Sequence, residues 1–416
     1  EAASPVGMDG RLRLAEAFLA KGDKIKGRRL IRKAWVEGSF GRRQEKRFYR
    51  KYRRLLTPGD HLARLDRLLW DGRYWQARRM LWRVNSDQRA LAEARLLLRR
   101  MRGNVDAAIA RVPSQLKDHE GLVYERLRWR LRKGRIDSVL ELLDSGKKPS
   151  TRPKLWWRER TSVIRSFLQK GYVTDAYRLA KNHGLAKGGA DFAEAEWLAG
   201  WIALRFMKEY NVAGRHFQTM FKAVKFPVSR SRGAYWTARA LEALGKDGKA
   251  NEWYLKAAAY PTAYYGQLAN ERLNERLGAE RPLWVPSQPD PSPNDIKAFD
   301  KHELTRAVAL LSRLGENKRL APFVHALQRA GTSPGWRILT AALARRSGRP
   351  DLAVSIAKKS GREGTELLNT GFPALVPPPV TDAKGKPLLE VPLVLATIRQ
   401  ESAFYTDAIS SAGALG

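Results

Sequence analysis

The last nineteen residues of the chain combine a carboxylate, hydroxyl groups and small side chains. Positions 398–416 read IRQESAFYTDAISSAGALG. Leu393, Leu395 and Ile398 give the predicted helix an apolar face. Glu401 follows Ile398 by three residues, which places its carboxylate beside that face. Contact with apolar surface favours the protonated form of a carboxyl group, as a general acid requires, so the segment predicts proton-transfer chemistry at Glu401.

Hydroxyl-bearing and small residues surround this glutamate. Ser402 is adjacent to it, and Ser410 lies nine residues beyond it. Positions 411–416, SAGALG, have side chains small enough for a polymer to approach the backbone closely. A lone glutamate near a helix end is most often only a solvated residue. The coincidence of an apolar face, two serines and a small-residue run favours a functional glutamate here.

Composition limits the chemistry available elsewhere in the chain. The sequence has no Cys, which excludes disulfides, thiolate catalysis and cysteine metal sites. Its six His are scattered, so neither a metal site nor a cofactor is expected. The sequence contains no stretch of about 18 apolar residues, so no integral membrane segment is predicted. A net charge of +36 favours an anionic partner, and nucleic acid, an anionic membrane surface and a carboxylate-bearing cell-wall polymer all fit it.

A turn residue followed five positions later by a small side chain recurs along the chain. Successive steps through position 245 are 31, 31, 37, 37 and 37 residues, close to the period of helix-turn-helix repeats. A small residue early in a helix allows its neighbour to pack closely, so an α-solenoid is predicted. The turn positions are Gly72, Gly103, Gly134, Gly171, Lys208, Gly245 and Gly348, and the small-residue positions are Ala77, Ala108, Val139, Ala176, Ala213, Ala250 and Ala353.

Two proline-rich stretches interrupt the helical pattern and predict domain boundaries. They begin at positions 281 and 372. We expect an α-helical solenoid over 1–280, a short helical linker domain over 281–371 and a proline-rich connector over 372–392. The first part of a further domain follows over 393–416. The fold class is therefore all-α.

The C-terminal segment resembles the soluble lytic transglycosylases of bacterial cell-wall turnover. Their catalytic domain is lysozyme-like and opens with an apolar helix that ends in Glu-Ser, followed by an aromatic residue and S-x-x-G-A-x-G. A long helical superhelix precedes it, and the segments AWVEGSF, DHLARLDRLLW and AYYGQLA look like that superhelix. The residues that match the motif are Glu401, Ser402, Ala403, Phe404, Ser410, Gly413, Ala414 and Gly416.

The resemblance implies a mechanism with Glu401 as the single catalytic acid and base. It would protonate the glycosidic oxygen between N-acetylmuramic acid and N-acetylglucosamine and then accept a proton from the muramic C6 hydroxyl, giving a 1,6-anhydro product. Asp407 has no such role in the family and is interpreted as a turn residue. The resemblance further implies periplasmic localisation, peptidoglycan strands as partners, possible complexes with other cell-wall enzymes, and no nucleic acid. Residues lining the substrate site would be Ser402, Phe404, Ser410, Gly413 and Ala414.

The family pattern also extends beyond this sequence. Its motif continues into Leu-Met-Gln and the remainder of the lysozyme-like domain, and a secretion signal precedes its superhelix. The resemblance thus implies that the 416-residue chain is a fragment with an incomplete active site, inactive by itself. The alternative from another functional class is a non-enzymatic, basic helical-repeat scaffold that binds RNA or a protein partner through its positive face.

Overall fold

A computed structural model describes most of the chain. It is all-α, as predicted, and the part of the chain that it describes forms 23 α-helices and no β-strand. The chain divides into two compact units, residues 1–185 and 186–416, so the division falls inside the stretch predicted as the solenoid. The described residues are 7–143, 151–283, 287–377, 381, 384–385, 388–410 and 412–414.

The N-terminal unit is a stack of antiparallel helices. Several helices contact the next but one along the chain, as α2 contacts α4, α4 contacts α6 and α6 contacts α8. This neighbour-on-neighbour packing is the pattern of a solenoid. The helices are α1 Met8–Ala20, α2 Lys24–Glu37, α3 Arg42–Tyr52, α4 Pro58–Trp70, α5 Tyr74–Met80, α6 Ser86–Arg100, α7 Val105–Ala110, α8 Glu120–Arg132, α9 Leu140–Leu143, α10 Pro153–Gln169 and α11 Val173–Lys181.

The C-terminal unit continues the same architecture and ends with the helix that carries Glu401. Consecutive helices from α12 to α16 pack on one another, and those from α17 to α22 do the same. The helices are α12 Ala190–Ile202, α13 Tyr210–Ala223, α14 Pro227–Ala243, α15 Asp247–Ala258, α16 Tyr264–Leu277, α17 Pro293–Lys301, α18 Glu303–Arg313, α19 Leu320–Ala330, α20 Pro334–Arg346, α21 Pro350–Arg362, α22 Leu368–Gly371 and α23 Val391–Glu401.

The predicted repeat positions have the expected conformations. All six turn glycines adopt positive φ, between 68° and 81°, and Lys208 takes the same left-handed conformation at 59°. The small residues five positions later are all buried, with exposures of 2% or less. Gly22, also at positive φ and followed five residues later by the buried Gly27, is a further repeat that sequence analysis missed. Glycine avoids the steric cost of this turn, and the small residue permits close helix packing.

Trp156 and Trp157 illustrate how aromatic side chains stabilise the stack. Each is only 4% exposed and therefore belongs to the core. The proline-rich stretches separate helices: α17 begins at Pro293, and no helix lies between Gly371 and Val391 in the described residues. None of the described helices is both long and apolar enough to cross a membrane.

Gly266 in the AYYGQLA segment lies where α16 packs closely against the preceding turn. A β-carbon at this position would overlap with the carbonyl oxygen of Tyr260. We therefore expect Gly266→Ala to lower the free energy of unfolding by roughly 2–3 kcal/mol, because the backbone must shift to relieve the overlap. Urea denaturation followed by circular dichroism would measure the change.

Gly214 provides the matched control for this prediction. It is also a buried helical glycine, but a β-carbon added to it would lie 3.8 Å from its nearest neighbour, the β-carbon of Ala240. Gly214→Ala should be neutral or stabilising, by up to about 1 kcal/mol, since alanine favours helix. Equal destabilisation by both substitutions would contradict the importance of the close approach at Gly266.

Candidate active site

Glu401 is the last residue of α23 and is exposed to solvent. Pro392 occupies the first turn of this helix, where its missing N–H costs no hydrogen bond. None of the residues of α23 is buried, and Leu393 is 56% exposed. The apolar face predicted next to the glutamate is thus present but only partly covered, since Leu395 and Ile398 are half-buried. The described residues do not supply the burial expected for Glu401. Within them, its carboxylate has no hydrogen-bond or ion-pair partner, so it is available to a ligand.

A sharp turn follows the glutamate. Ser402 caps the helix through its backbone N–H, which donates to the Ile398 carbonyl at 3.1 Å. Ala403 and Phe404 then adopt positive φ, 51° and 65°. This left-handed conformation is disfavoured for residues with a β-carbon and often occurs at functional sites. Phe404 is 8% exposed, so the turn buries this aromatic ring while Glu401 faces solvent.

Ser410 organises a compact loop formed by the remaining motif residues. Its hydroxyl oxygen accepts hydrogen bonds from the backbone N–H groups of Ala412, at 3.2 Å, and Ala414, at 3.0 Å. Its own N–H donates to the Ala414 carbonyl at 2.8 Å. Gly413 adopts a φ of 85°, which glycine tolerates without steric cost. Ser410, Gly413 and Ala414 therefore belong to one hydrogen-bonded structure.

Arg399 attaches α23 to the end of α22. Its Nε donates to the Gly371 carbonyl at 2.6 Å, and its guanidinium lies 4.0 Å from the centre of the Phe372 ring. Burial lowers the pKa of the Arg399 guanidinium. The hydrogen bond and the cation–π contact offset part of this desolvation cost. The helix that ends in Glu401 is consequently held in place by a charged side chain two residues earlier.

Tyr405 supplies a second attachment, after the turn. The Arg349 guanidinium lies 4.8 Å from its ring centre. Arg349 is fixed by two hydrogen bonds to Asp351, both 2.8 Å, and by one to the Asn317 carbonyl at 3.1 Å. It follows the repeat glycine Gly348, so the solenoid turn places this arginine. The glutamate is thereby bracketed by two arginine–aromatic contacts.

A cavity of about 290 Å³ adjoins α23 in the C-terminal unit. Lys358, Arg362 and Arg399 line it together with Phe372. Partial desolvation lowers the pKa of Lys358, and the positive charges of Arg399 and Arg362 lower it further. The cavity therefore has a positive potential that favours an anionic group.

Replacing Arg399 tests whether it positions α23. We expect Arg399→Ala to accelerate hydrogen exchange of the α23 amides by about tenfold, because the loss of two charge-assisted contacts costs on the order of 1–2 kcal/mol locally. Arg399→Lys should give a partial effect, since lysine lacks the planar guanidinium. The neighbouring exposed residue provides the control, and Gln400→Ala should leave exchange unchanged. Unchanged hydrogen exchange of the α23 amides in Arg399→Ala would show that Arg399 does not anchor this helix.

Sequence reasoning located the motif but missed the residues that support it. Arg349 and Arg399 were not singled out, because an arginine beside an aromatic residue of a distant segment leaves no local pattern. Asp407 lies exposed in a turn, as interpreted. Two exposed tryptophans of the N-terminal unit, Trp75 and Trp82, were also missed, since tryptophan on a helix is usually core.

This arrangement of stacked helices followed by the Glu401 helix is the fold of the soluble lytic transglycosylases. The structure of lytic transglycosylase Slt from Pseudomonas aeruginosa, an inactive glutamate-to-glutamine mutant, matches 99% of the chain with a TM-score of 0.69 and 18% identity. The 70 kDa soluble lytic transglycosylase from Escherichia coli matches 100% of the chain with a TM-score of 0.51 and 14% identity. The structure of a complex of the 70 kDa soluble lytic transglycosylase with bulgecin A also matches 100% of the chain, with a TM-score of 0.51 and 15% identity.

The chain spans 64% of the length of each of these three solved structures. No protein-family model matches the sequence, and no curated protein matches it. The similarity is thus one of fold, which the sequence resemblance predicted.

Proposed function

We propose that the protein is a peptidoglycan lytic transglycosylase that acts in the periplasm during cell-wall turnover. The observation that carries the proposal is Glu401 itself, an exposed carboxylate with no partner among the described residues, within a lytic transglycosylase fold. The helix that it ends is anchored by Arg399, and the turn that follows is held at Tyr405. The similar Pseudomonas enzyme is inactive as a glutamate-to-glutamine mutant, which supports a glutamate as the essential group.

Glu401 acts in both halves of the proposed reaction. Its carboxyl proton passes to the oxygen of the β-1,4 bond between N-acetylmuramic acid and N-acetylglucosamine, and the bond from the anomeric carbon to that oxygen breaks. The C6 hydroxyl oxygen of the same muramic residue bonds to the anomeric carbon, and its proton returns to the Glu401 carboxylate. The products are a free 4-hydroxyl and a 1,6-anhydro ring. One carboxylate suffices because the substrate supplies the nucleophile, unlike the usual two-carboxylate glycosidase scheme.

The motif residues contribute in different ways to this proposed site. Ser410 is exposed, whereas the Ser402 hydroxyl donates to the Ile398 carbonyl at 3.4 Å and helps to end α23. Phe404 is buried and supports the turn from within. Gly413 has no side chain and Ala414 has only a methyl group, so a glycan strand can approach the backbone of the loop.

We infer that catalysis also requires a covering of Glu401 that the described residues do not supply. The chain spans 64% of the length of the solved structures of the same fold, and within the described residues Glu401 and Leu393 are exposed. A general acid requires a desolvated environment near neutral pH, which further residues packed on this face would create. The 416-residue polypeptide is accordingly expected to bind sacculi without cleaving them.

Product analysis tests the proposed reaction. The protein at its full natural length is incubated with purified sacculi, and the soluble products are examined by mass spectrometry before and after borohydride reduction. Transglycosylation leaves 1,6-anhydro ends that borohydride does not reduce. Reducible ends would show attack by water and overturn the proposed chemistry. No release from sacculi, combined with salt-sensitive RNA binding, would favour the scaffold function instead.

A further inference from the structure

An open groove of about 700 Å³ lies in the N-terminal unit, on elements other than those that carry Glu401. Its walls are formed by α3 on one side and by α5 with the following 3₁₀ turn, Leu81–Arg83, on the other. Its volume falls in the range of ligand sites. Sequence analysis singled out none of the residues that line this groove.

Two tryptophans line the groove and are exposed. Trp75 is 63% exposed and Trp82 is 77% exposed, whereas Trp35 and Trp70 of the same unit are 0% and 5% exposed. The two residues are seven positions apart, which is about two helical turns, so they lie on the same side of α5 and its extension. Arg89 lies 4.6 Å from the centre of the Trp82 ring, and the Tyr74 ring lies 5.0 Å from that of Trp75, yet most of both indoles stays exposed. Exposed indoles on one side of a groove are characteristic of binding surfaces.

Contacts between side chains fix the floor of the groove. Arg79 pairs with Glu45 at 2.7 Å, and Arg83 lies 4.4 Å from the centre of the Tyr49 ring while donating to the Arg79 carbonyl at 2.9 Å. These contacts order side chains that would otherwise lose rotamer entropy on binding. The groove is therefore preorganised for a ligand.

The groove carries a large excess of positive charge. Five cations line it, against the single carboxylate of Glu45, which is 3% exposed and already paired with Arg79. Arg42, Lys46 and Arg78 are exposed and form no ion pair with any described residue. An occupant must therefore be anionic, and it must present flat surfaces to the indoles.

We propose that this groove binds a peptidoglycan strand, with sugar rings stacked on Trp75 and Trp82 and carboxylates of the stem peptides paired with Arg42, Lys46 and Arg78. The assignment rests on the proposed function, which supplies a polymer with both chemical features. Single-stranded nucleic acid also combines rings with negative charge, and the experiment below distinguishes the two.

Cosedimentation of the 416-residue protein with purified sacculi tests the proposal. The stacking variant is Trp75→Ala with Trp82→Ala, and its control is Tyr172→Ala, which removes a 50% exposed aromatic side chain of the same unit. The charge variant is Lys46→Glu with Arg78→Glu. Its control has two exposed cations outside the groove, Arg53→Glu with Arg54→Glu. Circular dichroism establishes that each variant is folded.

The stacking variant should bind sacculi roughly tenfold more weakly, and its control should bind as the wild type does. The charge variant should lose affinity on intact sacculi, and it should match wild type on sacculi stripped of stem peptides by an amidase. Wild-type binding that is unchanged by the stacking variant would overturn the groove assignment and leave the proposed function intact. No wild-type binding at all would likewise overturn the groove assignment, and the product analysis decides the proposed function separately. If the protein binds single-stranded RNA more tightly than sacculi, and this binding depends on the two tryptophans, the occupant of the groove is RNA and not the glycan.

Discussion

Replacing Glu401 with glutamine is expected to lower the rate of anhydromuropeptide release by about 10³-fold or more. Glutamine has nearly the same shape but can neither protonate the glycosidic oxygen nor accept the C6 hydroxyl proton. Both proton transfers depend on this one side chain, so both are lost. Because the carboxylate has no partner among the described residues, the substitution should leave the fold and the binding to sacculi unchanged. Release is measured by chromatography with the protein at its full natural length.

Glu390 provides a control on the same helix. It is exposed, precedes α23 as its N-cap residue and makes no side-chain capping hydrogen bond. Glu390→Gln should therefore retain activity within about twofold, since only a small helix-dipole effect is removed. Activity of Glu401→Gln within tenfold of wild type would show that another group is the acid.

Replacing Arg64 with methionine is expected to lower the free energy of unfolding by about 3–5 kcal/mol. Arg64 is fully buried, and its Nη1 donates to the carbonyls of Trp35, at 2.5 Å, and Gly38, at 2.9 Å. Its guanidinium also lies 4.4 Å from the Trp35 ring centre and 3.6 Å from the Glu45 carboxylate. Burial lowers its pKa to about 10, so it stays charged at neutral pH. Methionine fills the space but removes the side-chain donor to the Trp35 carbonyl, whereas the Gly38 carbonyl keeps its hydrogen bond from Arg67 Nη2 at 2.9 Å.

Urea denaturation followed by near-ultraviolet circular dichroism would measure this loss. The control is Arg54→Met, which removes an exposed cation of the same unit and should change stability by less than about 0.5 kcal/mol. Adding Glu45→Gln to Arg64→Met should cost less than the sum of the two single substitutions, because each removes the same ion pair. A loss below about 1 kcal/mol in Arg64→Met would mean that water or neighbouring groups replace the arginine.

The fold could be predicted from sequence because its determinants are local. A glycine at positive φ and a small residue five positions later depend only on a turn and the helix that follows it. The same spacing predicted a repeat turn at Lys208, although no glycine is present there. The four predicted domain ranges stay predictions, since a solenoid has no compositional change at the point where contacts divide it, after residue 185.

The candidate site was only partly predictable. Glu401, Ser410 and Gly413 lie in one short segment, so their spacing was visible, although their catalytic and substrate-binding roles stay predictions. Arg349 and Arg399 act through contacts with residues that the chain brings together only on folding. Apolar periodicity predicted a face on α23, but periodicity does not show whether another element covers that face.

The hydrogen bonds of Ser410 restrict what it can recognise. The backbone N–H groups of Ala412 and Ala414 both donate to the Ser410 hydroxyl oxygen and occupy its two lone pairs. Only the hydroxyl hydrogen is left to bond a ligand. A substrate group at this serine must then offer an acceptor, such as the carbonyl of an N-acetyl substituent, and a sugar hydroxyl could be read there only through its oxygen. In the proposed function, this loop would favour sugars that carry an amide over their deacetylated, cationic counterparts, because only the amide offers an acceptor to the hydroxyl hydrogen.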